Sequence, residues 1–259
     1  GKAYADAKGE ALYSAEFFRW YSEEAVRANG QISQAPATGA RIVVQYKPIG
    51  ISVLVTPWNY PAAMGTRKIA PAIAAGCPVI IKPASETPLT MLELMPLLEE
   101  AGVPKGLLSV LPSRNTSKLV DHLLHDPRVR LVSFTGSTEV GRKLLKVAAD
   151  QVLKTSMELG GNAPLIIFDD ADINTAIEGA LLAKMRNLGE ACTAANRIYV
   201  HEDIAQEFKS KFSERMGSLK VGNGLDKSVD VGPLVNAETR DKVKYFVDDA
   251  LSKGAELCV

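Results

Sequence analysis

Cys192 is the residue of this chain best suited to covalent chemistry. It sits in Asn187-Leu188-Gly189-Glu190-Ala191-Cys192-Thr193, after a predicted helix and before a predicted strand. Loops at such junctions carry many catalytic groups, and a thiolate placed there would be a strong nucleophile. The plainer alternative is a small buried apolar side chain, although a Gly/Glu/Ala setting is unlike a strand core. Glu158 is the second candidate, in Met157-Glu158-Leu159-Gly160-Gly161-Asn162. A carboxylate partly buried among apolar residues and glycines would serve as a general base near neutral pH. Its alternative is a surface glutamate at a turn.

Three further stretches follow apolar runs. Thr56-Pro57-Trp58-Asn59-Tyr60-Pro61 offers the Asn59 amide as a donor to a developing oxyanion, or else is a Pro-rich loop with an aromatic plug. Ile81-Lys82-Pro83-Ala84-Ser85-Glu86 places a lysine and a serine where open α/β sheets bind ligands, or else is a polar loop with a cap. Phe134-Thr135-Gly136-Ser137-Thr138-Glu139 leads from a strand into an amphipathic helix, where free backbone N–H groups and a hydroxyl suit a phosphate. It lacks the G-x-G-x-x-G fingerprint of dinucleotide-binding turns, and a simple tight turn is its alternative.

The elements that position these residues are legible in the hydrophobic pattern. Leu12, Ala15, Phe18, Tyr21 and Ala25 recur at helical spacing, and Gly30 closes the segment. Arg41 to Tyr46 alternates as a strand. Short β-rich runs follow at Ile51–Val55, Pro78–Ile81, Leu107–Leu111, Val129–Phe134, Pro164–Phe168 and Arg197–Val200, and helical stretches such as Met91–Ala101, Val140–Ala149 and Ile173–Met185 separate them. Ile204, Phe208, Phe212 and Met216 share a helix face, as do Val243, Val247 and Leu251. Strands alternating with helices predict an α/β fold with a parallel sheet. The apolar runs 78–81 and 164–168 predict strands buried on both faces. The Gly160-Gly161-Asn162-Ala163-Pro164 stretch is the expected boundary between two α/β halves, and the last residues, Leu257-Cys258-Val259, look like a strand.

Composition narrows the function. The 259 residues are 46% hydrophobic, and Lys+Arg and Asp+Glu are both 30, so the formal net charge is zero. A balanced chain lacks the positive field that nucleic acid or an anionic membrane requires, and its apolar content excludes disorder. No apolar run is long enough to span a membrane. Three separated cysteines without a CxxC predict no disulfide framework and no metal centre, and point to a reducing, cytoplasmic setting. His122 and His125 lie three apart at a predicted helix end, as surface or capping residues. The first residue is Gly1, so the chain is expected to begin inside a longer product.

Taken together, the motifs resemble the aldehyde dehydrogenase superfamily. The carriers are Pro57-Trp58-Asn59, Lys82-Pro83-Ala84-Ser85, Phe134-Thr135-Gly136-Ser137 with Gly141, Met157 to Asn162, and Gly189-Glu190-Ala191-Cys192, in the family's order. Glu158 precedes Cys192 by 34 residues, the family's spacing. The resemblance implies a Rossmann-like NAD(P)-binding domain over residues 1–158, with a possible oligomerisation strand at 39–48. A catalytic thiol domain, incomplete in this chain, would occupy residues 159–259. It implies Cys192 as nucleophile, Asn59 as oxyanion donor and Glu158 as the base for deacylation. Trp58, Lys82, Pro83, Ala84, Ser85, Gly136, Ser137 and Leu159 would contact NADP or NAD. A carboxylate at position 85 would repel a ribose 2′-phosphate, whereas Ser85 tolerates it, so NADP is expected to be accepted.

The substrate expectation rests on two arginines. Arg67 lies eight residues after Asn59, and Arg186 six before Cys192. Two guanidiniums can clamp a carboxylate in bidentate geometry, and the pattern is similar to succinate-semialdehyde dehydrogenases. Either arginine could instead be a surface or interdomain ion pair. The resemblance therefore implies oxidation of succinate semialdehyde by a homodimer or homotetramer. The alternatives are another aldehyde such as glutarate semialdehyde, a Cys-His hydrolase, and an inactive module that only binds cofactor.

Overall fold

The computed structural model describes residues 1–259. It divides into two compact units, one of Glu10–Leu159 and one of Gly1–Gly9 with Gly160–Val259. Helix α1 (Tyr4–Glu24) opens the chain, a hairpin of β1 (Gln31–Gln34) and β2 (Arg41–Val44) follows, and every residue of those two strands is exposed.

The rest of the Glu10–Leu159 unit is a five-stranded sheet. Its strands are β3 (Ile51–Val55), β4 (Val79–Lys82), β5 (Leu108–Val110), β6 (Val129–Gly136) and β7 (Lys154–Leu159). They run parallel in the order β5-β4-β3-β6-β7. Helices α2 (Ala63–Ala74), α3 (Leu89–Glu100), α4 (Thr116–Leu124) and α5 (Thr138–Asp150) make the crossovers. Side chains of a strand alternate between faces, and β3 shows the consequence. Val53 and Val55 pack with Val120, Leu124, Val132 and Ala148 on one face, while Leu54 packs with Ile69, Ile81 and Met91 on the other. A strand buried on both sides has to be apolar throughout.

Three elements of this unit escaped the sequence pattern: the exposed strand β1, helix α2 and strand β7. Helix α2 follows the Pro-rich loop directly, and its N-terminus is closed by a distant carboxylate: Glu10 Oε1 accepts from the amides of Ala62 and Ala63 at 2.7 and 3.1 Å. Strand β7 is polar because it lies at the sheet edge, with most of its residues exposed.

The second unit pairs β8 (Ala163–Ile167) with β9 (Ala195–Val200) in parallel. Helices α6 (Ile173–Met185) and α7 (Glu202–Gly217) cover one face through Ile167, Ile177, Ala180 and Phe208. Burial of β8 on both faces is not what the structure shows: Ile166 is 59% and Phe168 63% exposed, because helices cover one face only. Helix α8 (Ala237–Ser252) carries Val243, Val247 and Leu251 as expected, all exposed. The end of the chain corrects a second expectation. Residues 255–259 form no strand, since no neighbouring strand offers them ladder bonds.

Candidate active site

The order of the five-stranded sheet decides where a ligand fits. Successive strands run outward from β3 to β5 on one side and continue from β6 to β7 on the other, so the order reverses between β3 and β6. In open parallel sheets, ligands occupy the crevice beyond the carboxyl ends of the strands at such a point. Trp58 and Asn59 follow β3, and Lys82 to Ser85 end or follow β4. Gly136 ends β6, Ser137 caps the helix after it, and Glu158 and Leu159 close β7. Four separate motifs thus reach one edge of one sheet.

This edge fits a dinucleotide. Ser137 Oγ accepts from the Val140 amide at 3.3 Å and caps α5, whose first-turn N–H groups suit a phosphate. Gly141 lets that helix close on the sheet, since a Cβ there would lie 2.6 Å from Leu159 Cδ2. The hydroxyls of Thr56 and Thr135, at the ends of the adjacent strands β3 and β6, are buried without a hydrogen-bond partner. Buried orphan hydroxyls are rare in native folds, and a polar ligand would satisfy them. Lys82 is buried, which lowers its ammonium value, and Glu86 opposes that shift. Pro83 and Ala84 are buried beside it, while Ser85 is exposed and donates to the Ser113 carbonyl at 2.9 Å.

A cavity of about 380 Å³ opens on the same unit, lined among others by Arg67, Lys68, Cys77, Ser133, Ser156 and Glu158. Glu158 is exposed, as in the surface alternative, because β7 is an edge strand with one open side. Lys68 is the buried charge instead. It is 8% exposed and donates to Ser133 Oγ at 2.6 Å. Burial and the neighbouring Arg67 push its ammonium down to about 8, and Glu158 partly offsets this. Arg67 itself lies over the Phe17 ring, 5.9 Å from its centroid. The sequence reading did not single out Lys68. The available signal was its place three residues after Gly65 and four before Ala72, on the stripe that α2 turns inward.

The Cys192 loop belongs to the second unit. A short 3-10 segment, Arg186–Gly189, follows α6 and breaks helical geometry. Asn187, Leu188 and Gly189 have φ of +54°, +58° and +74°. Only Gly fits the last position, since a Cβ there would lie 2.7 Å from the Lys184 carbonyl oxygen. Leucine has no such freedom, and a left-handed leucine costs about 1–3 kcal/mol. The turn is closed by the Glu190 amide donating to Asn187 O at 2.9 Å. Cys192 then emerges exposed, unlike a side chain that fills a core. Glu190, two residues before it, is half-buried, and that burial raises its carboxyl value. Gly161 runs alongside, where a Cβ would stand 3.6 Å from the Cys192 carbonyl oxygen. Arg186 is exposed and shares a hollow of about 210 Å³ with Ala191, Thr193 and Ala194, the residues flanking Cys192.

Another grouping was not anticipated. Asp169, His201 and Asp203 bring three ligand-type atoms within 4.8 Å of one another at the ends of β8 and β9. His201 Nδ1 caps α7 by accepting from the Asp203 amide at 3.4 Å, and both carboxylates are exposed. The group works as a helix cap with acidic neighbours. His122 and His125 are exposed, and all three cysteines are free.

A parallel sheet with its motifs at one carboxyl edge is an α/β arrangement of dinucleotide-binding type, and the other unit carries an exposed cysteine after a left-handed turn. The sequence profile of the aldehyde dehydrogenase family matches residues 1–259, and the chain belongs to that family. A succinate-semialdehyde dehydrogenase of Paenarthrobacter nicotinovorans is 52% identical over 98% of this chain and 57% of its own length. A glutarate-semialdehyde dehydrogenase of Pseudomonas aeruginosa is 46% identical over 99% of this chain and 53% of its own. The crystal structure of an E. coli NADP-dependent enzyme superposes with a TM-score of 0.96 at 46% identity, over 99% of this chain and 53% of that one. The chain therefore spans about half the length of the relatives it matches. No helix is long and apolar enough to cross a membrane.

Proposed function

We propose that this chain carries the reacting groups of an NAD(P)-dependent dehydrogenase that oxidises succinate semialdehyde to succinate. The observation that carries the reading is the gathering of Asn59, Lys82, Ser85, Gly136, Ser137 and Glu158 at the carboxyl edge of one sheet. Residues 1–158 would form the cofactor-binding domain and residues 159–259 part of the catalytic one. Lys82 and Ser85 would hold the adenosine ribose, and the capped start of α5 the diphosphate. Trp58, Pro83, Ala84 and Leu159 would line the rest. The bound nicotinamide supplies a hydride acceptor.

The chain's own residues do the remaining work. The Cys192 thiolate attacks the aldehyde carbon, and an electron pair moves onto oxygen. The Asn59 amide and the Cys192 backbone N–H donate to that oxyanion, stabilising charge that exists only after attack. Once the carbon is oxidised, Cys192 holds the acyl group as a thioester. Glu158 takes a proton from the attacking water, and the acid leaves with the thiolate restored. Lys68, in the cavity that Glu158 lines, is a group able to exchange a proton near neutral pH. Arg67 and Arg186 clamp the far carboxylate of the substrate.

Following reduced-cofactor absorbance with succinate semialdehyde tests the reading on the full-length protein. Turnover that disappears in Cys192→Ala is expected; no turnover with any aldehyde of a broad panel would remove it. Glutarate semialdehyde, one methylene longer, is the second reading, favoured by the glutarate-semialdehyde relative. The ratio of kcat/KM for the two aldehydes decides between them. NADP is expected to support turnover at least comparable to NAD, and undetectable activity with NADP would reject the role given to Ser85.

A further inference from the structure

The left-handed run at Asn187, Leu188 and Gly189 needs something to hold it, because only Asn and Gly adopt that conformation readily. Within the loop, the Glu190 amide donates to Asn187 O at 2.9 Å, and Asn187 Nδ2 donates to Glu190 O at 3.4 Å. A tie also arrives from the far end of the chain. The backbone N–H of Asn187, a residue 1% exposed, donates to Asp6 Oδ2 at 3.1 Å across 181 positions of sequence. Asp6 lies in the first turn of α1 and is half-buried, within the same compact unit as the loop. An amide bonded to a carboxylate is held more strongly than one bonded to a neutral acceptor.

We propose that Asp6 is a positioning residue for Cys192: its carboxylate grips the Asn187 amide and so fixes the left-handed turn that presents the thiol. The proposal rests on Cys192 being the nucleophile. Asp6 touches no reacting atom, and its effect passes through the backbone from 187 to 192. Without it the amide of Asn187 loses its acceptor, and Leu188 returns to right-handed or extended conformations. The thiol then no longer faces the substrate carbon while its own N–H faces the carbonyl oxygen.

Hydrogen exchange on this chain and turnover of the full-length protein test the idea in parallel. Asp6→Ala is expected to speed exchange of the Asn187 amide at least tenfold while amides of α6 stay protected. The same substitution should lower kcat at least tenfold, with the KM for cofactor within twofold. Asp6→Asn keeps an acceptor oxygen without the charge and is expected to recover most of the turnover; it also carries the test if Asp6→Ala does not fold. Unchanged exchange at Asn187, or faster exchange with unchanged kcat, would overturn the role of Asp6. Full activity of Cys192→Ala would instead overturn the reading of the nucleophile, so the two failures are told apart.

Discussion

Lys68 sits in a helix among Gly65, Thr66, Ile69 and Ala70, all buried, and its charge has to be accommodated there. Its folded value of about 8 lies below the ordinary 10.5. Below pH 8 both the folded and the unfolded chain hold the proton, and the fold bears the full penalty of the buried charge. Between pH 8 and 10.5 the unfolded chain binds more protons, so stability rises with pH. The gain across that window is on the order of 3 kcal/mol. Lys68→Met should remove that rise, seen as a urea midpoint that no longer climbs relative to wild type from pH 8 to 10. An identical climb in both proteins would show that Lys68 is not the titrating group. Arg186 belongs to the same scale. Arg186→Ala is expected to raise KM tenfold or more for a semialdehyde with a distal carboxylate, and far less for an uncharged aldehyde of equal length. Equal effects on both would reject the clamp. Cys192 and Glu158 were singled out as candidates by residue type, by neighbours and by the family's order of motifs, and the structure leaves both exposed. Lys68 and Asp6 were not, because burial and a contact across 181 positions leave no local trace in the sequence.

At the scale of elements, legibility followed burial. Strands β3, β4 and β6 stood out because both faces are covered and the residues are apolar. Strand β7 did not, because Lys154-Thr155-Ser156 at a sheet edge has the composition of a loop. Helix α2 was hidden by Pro71 near its end and by small residues along its buried face. The turn from β6 into α5 was visible in full, since Gly136-Ser137 before an amphipathic run is a strand end followed by a helix cap. Ser137→Ala should cost about 1 kcal/mol of stability by removing that cap. It should also raise the KM for the dinucleotide, because the cap orders the amides that would face its phosphates. A stability loss with unchanged cofactor KM would leave Ser137 a cap and nothing more.

For the whole molecule, the alternation of strands and helices marks the α/β class, and the order of motifs marks the family. The sheet order, with its reversal between β3 and β6, came from the structure, because strand neighbours are set by long-range packing that short windows do not contain. The same holds for α1, whose first residues, to Gly9, belong to one unit while the rest belong to the other. The central claim is that Cys192 and Glu158 act in sequence on one acyl group. Rapid mixing of full-length Glu158→Gln with succinate semialdehyde and NADP, followed by peptide mass spectrometry, tests it most directly. The account predicts one burst of reduced cofactor per active site, followed by a succinyl mass trapped on the Cys192 peptide. Steady turnover without a trapped mass, or a mass found on another residue, would contradict it.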